Sequence, residues 1–189
     1  MNQMLPILRS SRLVLTPLNA KHVARLAVVA GKRFIADTTI SVPHPLTEPL
    51  ARLWIEDAAA ETADGRAVHF AVSAMPEEDL LIGYVAIKAI SNEHREGELS
   101  FWLDEEHGGK GYGTEAASEV LRFGFDNLDL NRICAYHMVR NQVSGRVLSR
   151  LGFTREGCLR QRVRKWGRYE DVYVCALLRR DLRFGEPML

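Results

Sequence analysis

Arg12-Leu13-Val14-Leu15-Thr16 carries its apolar residues at strand spacing, and Val68–Ser73, Leu80–Ile90 and Gly97–Leu103 read as three further strands. In the last of these Leu99, Phe101 and Leu103 share one face, and Glu98, Ser100 and Trp102 share the other. Met75 to Asp79 is a polar turn, so the three strands predict an antiparallel meander. Helical spacing takes over elsewhere. Asn19 caps a helix to about Ala30 through Val23, Leu26 and Ala27. After a loop punctuated by Pro43, Pro45 and Pro49, a second helix shows Leu50, Leu53, Trp54 and Ala58 as its apolar stripe.

Farther along, Ala117, Val120, Leu121, Gly124, Phe125 and Leu128 stay in phase on a helix from about Thr114 to Asn127. Arg132–Met138 is a strand. Asn141 opens another helix with Val143, Val147, Leu148 and Leu151 as its stripe, and Gly152 sits where a left-handed cap is expected. Arg155–Arg164 and Glu170–Leu178 are two last strands turning at Trp166-Gly167-Arg168. The order is strand, two helices, three strands, helix, strand, helix, two strands. It predicts an α/β (α+β) fold, a single mixed, mostly antiparallel sheet flanked by helices.

The 189 residues suit one domain, and 25 Lys+Arg against 24 Asp+Glu leave no general nucleic-acid footprint. No apolar run is long enough to span a membrane and no secretory signal opens the chain, so the expected location is the cytoplasm. Cys134, Cys158 and Cys175 are widely spaced and odd in number, with no CxxC or Cys/His cluster, so neither a disulfide framework nor a zinc site is expected. His22, His44, His69, His94, His107 and His137 show no ligand spacing, so no metal is expected.

The segment between the third meander strand and the next helix carries the first sign of chemistry. Gly108-Gly109-Lys110-Gly111-Tyr112-Gly113-Thr114 places glycines at a helix start, where free N–H groups and a positive dipole end receive a pyrophosphate. No Lys-Ser or Lys-Thr follows the glycines, which excludes a Walker A loop. Gly113 comes one residue too early for a dinucleotide fingerprint. A plain turn before a helix remains the other reading of the glycines taken alone.

In order along the chain stand Glu98-Leu99-Ser100-Phe101-Trp102-Leu103, Gly109-Lys110-Gly111-Tyr112-Gly113-Thr114-Glu115-Ala116, Asn141-Gln142-Val143-Ser144 and Leu151-Gly152-Phe153-Thr154-Arg155-Glu156-Gly157. Together with Arg12-Leu13-Val14-Leu15 they resemble the successive motifs of the GNAT superfamily of N-acetyltransferases, and most of all its RimJ/RimL branch. The resemblance runs from about Arg9 to Asp181 as one acetyltransferase domain. It implies acetyl-CoA as co-substrate, with no metal. The backbone of Trp102 and Leu103 would pair with the pantetheine arm, the loop from Gly108 to Thr114 would hold the pyrophosphate, and Asn141 and Ser144 would face the arm near the thioester. The sequence departs from the superfamily at Gly108, where an Arg or Gln is usual, and at Leu148, where many members carry a tyrosine acid.

Acyl transfer requires a neutral amine. A peptide α-amine has a pKa of about 7.7–8.0 and lysine about 10.4, so roughly a tenth of the first is neutral at pH 7 against under a thousandth of the second. Glu98 is the candidate base and Ser144 the candidate hydrogen-bond donor to the departing sulfur. Each has a plainer reading, a solvated strand carboxylate and a first-turn helix serine. Arg160, Arg162, Arg164, Lys165 and Arg168 form a basic hairpin, either a solvated face or a lip facing an acidic partner. The expected acceptor is a protein or peptide N-terminal α-amine. A small-molecule amine and a non-catalytic CoA-binding module are the alternatives, and a homodimer is open to any of them.

Overall fold

The computed structural model describes residues 5–182. Eight strands form one sheet: β1 (Leu8–Arg9), β2 (Leu13–Pro17), β3 (Val68–Ala74), β4 (Leu81–Ser91), β5 (Glu96–Leu103), β6 (Arg132–Met138), β7 (Thr154–Lys165) and β8 (Arg168–Leu178). Their order across the sheet is β1-β2-β3-β4-β5-β6-β8-β7. Only β5 and β6 run parallel, and the crossover between them is a helix, as a parallel pair requires. The β3-β4-β5 meander is as expected.

Five α-helices cover the two faces: α1 (Val23–Ala30), α2 (Arg33–Thr38), α3 (Glu48–Ala63), α4 (Tyr112–Asp126) and α5 (Gln142–Arg150). Strand alternation sorts the core accordingly. Leu13, Phe70, Val85, Ile87, Leu99 and Ile133 point to α4 and α5 and pack with Ala117, Leu121 and Leu148. Ala71, Tyr84, Ala86 and Trp102 point the other way, to Leu26, Ile35, Ile55 and Ala58 of the first three helices. Among the described residues, no helix is long and apolar enough to cross a membrane.

Several expectations are corrected. Asn19 does cap a helix, yet the first turn is 3-10 (Ala20–His22) and α1 starts at Val23. The segment read as a proline loop contains α2, six residues and too short to display a period. Pro49 lies within the first turn of α3, where its missing N–H costs nothing. On α3 the buried positions are Ala51, Ile55 and Ala58, while Leu50 and Leu53 are 43% and 54% exposed. The small alanines let the helix approach the sheet, and the larger apolar residues are rotated toward an open cavity. Val143 on α5 is exposed rather than buried, while Leu148 and Leu151 of its stripe are buried. The β7–β8 turn is Trp166-Gly167 alone, both residues left-handed at φ +49° and +80°, closing between paired Lys165 and Arg168.

At the end of β5 a buried charge ties α1 and α2 to the sheet. Asp104 has no exposed surface; it accepts from Lys32 Nζ at 2.6 Å, with Arg25 Nη2 at 3.7 Å. Its Oδ2 finds no hydrogen bond among the described residues. Lys32→Met leaves this carboxylate without its close partner. Losing one member of a buried pair costs 3–5 kcal/mol, and the partial exposure of Lys32 and the nearby Arg25 reduce this to about 2–3 kcal/mol. Denaturant melts should show that loss, and Lys32→Met with Asp104→Leu should recover most of it.

Candidate active site

The strands β5 and β6 pair from Glu96↔Arg132 to Leu99↔Ala135 and then part. Each keeps its outer neighbour past the fork, β5 to Leu103↔Gly83 on β4 and β6 to Met138↔Val172 on β8. The inner edge of residues 100–103 therefore has no strand partner, and its backbone groups are free to pair with an extended ligand.

A cavity of about 800 Å³ opens at this fork. Glu98, Trp102 and Ser144 all line it, so three of the residues singled out in the sequence converge there from β5 and α5. Leu148 lines it one turn beyond Ser144, an aliphatic side chain where many members of the superfamily carry an acid. Glu98 lies on the same sheet face as Trp102, opposite Lys88 on β4 and Cys134 on β6. The cation beside this end of β6 is already engaged, since Arg132 pairs with Glu156 at 2.5 Å and with Glu96 at 3.9 Å. Burial, and after it the charge of Glu98, push the Cys134 thiol above its ordinary value. That is the reverse of what activates a cysteine nucleophile.

Asn141 does what its position as a cap predicts and also reaches across. Its Oδ1 accepts from Ser144 N–H at 3.1 Å, and its Nδ2 donates to the Thr38 carbonyl at the end of α2 at 2.8 Å. The cap thereby orients Ser144 and fixes α2 over the fork. One Oδ1 lone pair and one Nδ2 hydrogen remain, although Asn141 is not among the residues that line the cavity.

The glycine loop lies beyond the other end of β5. Gly111 is the cap residue of α4 at φ +84°, and Gly109 has φ +75°, conformations that glycine adopts without strain. No side chain caps the helix, and its first backbone bond runs from Glu115 N–H to Gly111 C=O. The N–H groups of Tyr112, Gly113 and Thr114 thus have no helical partner and face outward at the positive end of a 15-residue helix. A Cβ at Gly113 would sit 3.5 Å from Leu103 Cδ1, so the loop adjoins the free strand edge. Lys110 is exposed at the loop. Gly108 contributes differently: its N–H closes a 3-10 turn on Glu105 C=O at 3.0 Å, so it shapes the approach to the loop and has no free donor. These features fit a pyrophosphate joined to an extended arm.

Glu115 explains why the loop holds its shape. Its carboxylate accepts from Ser10 Oγ at 2.6 Å, Ser11 Oγ at 3.2 Å, and Arg12 backbone N–H and guanidinium, while Arg12 Nη1 donates to Lys110 C=O at 3.0 Å. Burial works to raise the carboxyl, but the Ser10 and Arg12 bonds prevail and hold it below its ordinary value. Arg12 and Glu115 are thus a clasp between β2 and α4.

The far wall of the cavity was not legible in the sequence. Leu50, Leu53, Trp54, Asp57 and Glu61 of α3 line it, with His69 and Tyr84 from β3 and β4. Residues 38–43 roof it. The roof is pinned to the β7–β8 hairpin by Asp37, which accepts from Trp166 Nε1 at 2.8 Å and from Arg140. The Trp166 bond, then the Arg140 contacts, hold the Asp37 carboxyl below its ordinary value against the opposing effect of burial. From the basic hairpin Arg162 lines the cavity, while Arg160, Arg164 and Arg168 are directed to its outer surface.

A family profile described as an acetyltransferase (GNAT) domain matches residues 12–154. N-acetyltransferase p20 of Bacillus licheniformis is 36% identical over 118 residues, 62% of this chain and 66% of that protein. The ribosomal-protein-serine acetyltransferase of Escherichia coli is 33% identical over 100 residues, 53% of this chain and 56% of that protein. The matched stretch thus spans just under two thirds of the first of these relatives and little more than half of the second. A RimL ribosomal L7/L12 α-N-protein acetyltransferase, solved with coenzyme A, superposes at a TM-score of 0.85, covering 92% of this chain and 98% of that one at 22% identity.

Proposed function

The chain belongs to the GNAT acetyltransferase family, and from that premise we propose that it transfers the acetyl group of acetyl-CoA to a peptide N-terminal α-amine. The observation that carries the reading is the convergence of Glu98, Ser144 and the unpaired edge of β5 on one cavity. Acetyl-CoA supplies the thioester. Its pyrophosphate is received by the Gly109–Thr114 loop, with Lys110 adding charge, and its arm by the edge at Trp102 and Leu103. Asn141 holds the arm's inner end.

Glu98 takes the proton that leaves the amine nitrogen as the new N–C bond forms. Ser144 donates a hydrogen bond to the sulfur as it departs. Transfer is direct, within a ternary complex. Supporting this, burial pushes the Cys134 and Cys175 thiols above their ordinary value, and the charge of Glu98 adds to this at Cys134.

Two considerations support an α-amine. Asp57, Glu61 and Glu98 line the cavity against Lys88 and Arg162, an excess of one negative charge that favours an ammonium group. A weak base such as the Glu98 carboxylate suits an amine of pKa about 8 better than one of about 10.4, a difference on the order of 3–4 kcal/mol in the neutral fraction. A competition at pH 7 tests the assignment. It sets peptides with free N-termini against blocked peptides carrying lysine and against polyamines and aminoglycosides. The free N-terminus is expected to give the highest kcat/KM, and a higher value for any other class overturns it.

A further inference from the structure

Behind the acetyl-transfer cavity lies a chain of three polar side chains that the mechanism above leaves unused. Glu61 comes from the last turn of α3, His69 from β3 and Tyr84 from β4, and all three line the cavity. His69 pairs with Ala86 across the sheet, which sets its ring diagonally beside Tyr84 on the same face. Glu61 Oε2 lies 3.0 Å from His69 Nε2, and His69 Nδ1 lies 2.8 Å from the Tyr84 hydroxyl. The phenol is packed between Trp102, stacked at 5.9 Å, and Trp54, edge-on at 5.3 Å. His69 and Tyr84 are 3% and 2% exposed, whereas the Glu61 side chain is 37% exposed. The chain therefore runs from a buried phenol to a partly exposed carboxylate.

The chemistry of the groups orders the hydrogens. A carboxylate only accepts, so His69 Nε2 donates to Glu61. The neutral ring then has its lone pair at Nδ1, and the Tyr84 hydroxyl donates there. With its proton committed to His69, the Tyr84 oxygen has lone pairs left to accept from a group in the cavity. The ionisation states agree. Burial lowers the His69 imidazole from its ordinary value, ahead of the opposing effect of Glu61 and with a small further lowering from Lys88. Burial likewise raises Tyr84, so the phenol keeps its proton.

The overall reaction sets the need. An ammonium acceptor loses two protons on becoming an amide, the departing thiolate takes one, and one must reach solvent. We propose that Tyr84, His69 and Glu61 form the exit path for that proton, with Tyr84 accepting it from the incoming ammonium and His69 and Glu61 passing it out. In the transfer Tyr84 oxygen gains the ammonium proton as its own moves to His69 Nδ1, and the Nε2 proton moves to Glu61 and on to water. The nitrogen is left neutral for attack, and its second proton goes to Glu98. Tyr84 is then a catalytic residue, and His69 and Glu61 act through it. This rests on the acetyl-transfer reading.

The test compares two isosteric acceptors, a peptide beginning with β-alanine, whose amine is protonated at pH 7, and one beginning with aminooxyacetate, whose amine is already neutral. Should peptides fail as acceptors, the corresponding small amides replace them. Tyr84→Phe and His69→Gln preserve volume, and the glutamine also preserves hydrogen bonding between Glu61 and Tyr84. Each is expected to lower kcat/KM for the β-alanyl acceptor by about 10²-fold, the scale of a lost proton-transfer group, and to leave the aminooxy acceptor within a few-fold. Calorimetry should show unchanged acetyl-CoA affinity. Equal losses on both acceptors, or no loss on either, would mean that the three residues only stitch α3 to the sheet. If the wild-type protein acetylates neither of these acceptors nor any peptide α-amine or small amine, the acetyl-transfer reading fails instead.

Discussion

Gly111→Asp is expected to weaken acetyl-CoA binding by about 10²-fold or more in a protein that still folds. Two costs add. The residue caps α4 at φ +84°, and a side chain there is strained by roughly 1–2 kcal/mol, somewhat less for Asp than for most residues. The new carboxylate also stands at the helix end proposed to receive the pyrophosphate. Two unit charges 4 Å apart repel by about 1 kcal/mol in water and about 4 kcal/mol near a protein surface. Relief by Arg12 is limited, because its guanidinium already holds Glu115. Gly111→Asn separates the two costs, having similar strain and no charge, and should lose only about tenfold. Calorimetric titration with acetyl-CoA reads both variants. The deficit of the Asp variant should shrink with added salt, as a charge effect must. Unchanged affinity in a folded Gly111→Asp protein would move the pyrophosphate site elsewhere.

Glu98→Gln is expected to slow the chemical step by about 10²–10⁴-fold while barely changing acetyl-CoA affinity. The substitution keeps the shape of the side chain and removes its ability to take a proton. Single-turnover rates read the chemistry, and calorimetry reads the binding. The loss should be similar for an acceptor that enters protonated and one that enters neutral, because the proton Glu98 takes leaves only as the N–C bond forms. That pattern is the opposite of the one expected for Tyr84→Phe and His69→Gln. A full rate in Glu98→Gln would assign the base to another group or to water.

The glycine loop and the faces of β5 are more legible in the sequence than the far wall of the cavity, and the reason is geometric. The loop proposed for the pyrophosphate is contiguous: Gly109, Gly111 and Gly113 stand in one stretch because φ > 0 and a free helix end are local demands. The parity of β5 is equally local, so Glu98 and Trp102 were assigned the face on which they lie. Asn141 and Ser144 are one cap and its third residue. The far wall of the cavity is built otherwise. Glu61, His69 and Tyr84 come from three elements, and no spacing along the chain relates them. His69 read as one of six unremarkable histidines until its strand was set beside β4 and beneath α3. The exposed Leu50 and Leu53 misled the helix stripe for the same reason, because residues that line a cavity are as apolar as those that fill a core.

By itself, then, the sequence determined seven of the eight strands, four of the five α-helices, the parity of β5, the family resemblance and the run of glycines before α4, all matters of period, local backbone conformation and order along the chain. Tertiary structure alone decided that β5 and β6 part after Leu99, that α2 lies pinned over the fork by Asn141 and Asp37, and that a buried phenol connects through His69 to a carboxylate at the surface. Those are long-range contacts, such as Asn141 with Thr38 across 103 positions, and hydrophobic periodicity carries no information about which distant side chains will share a cavity.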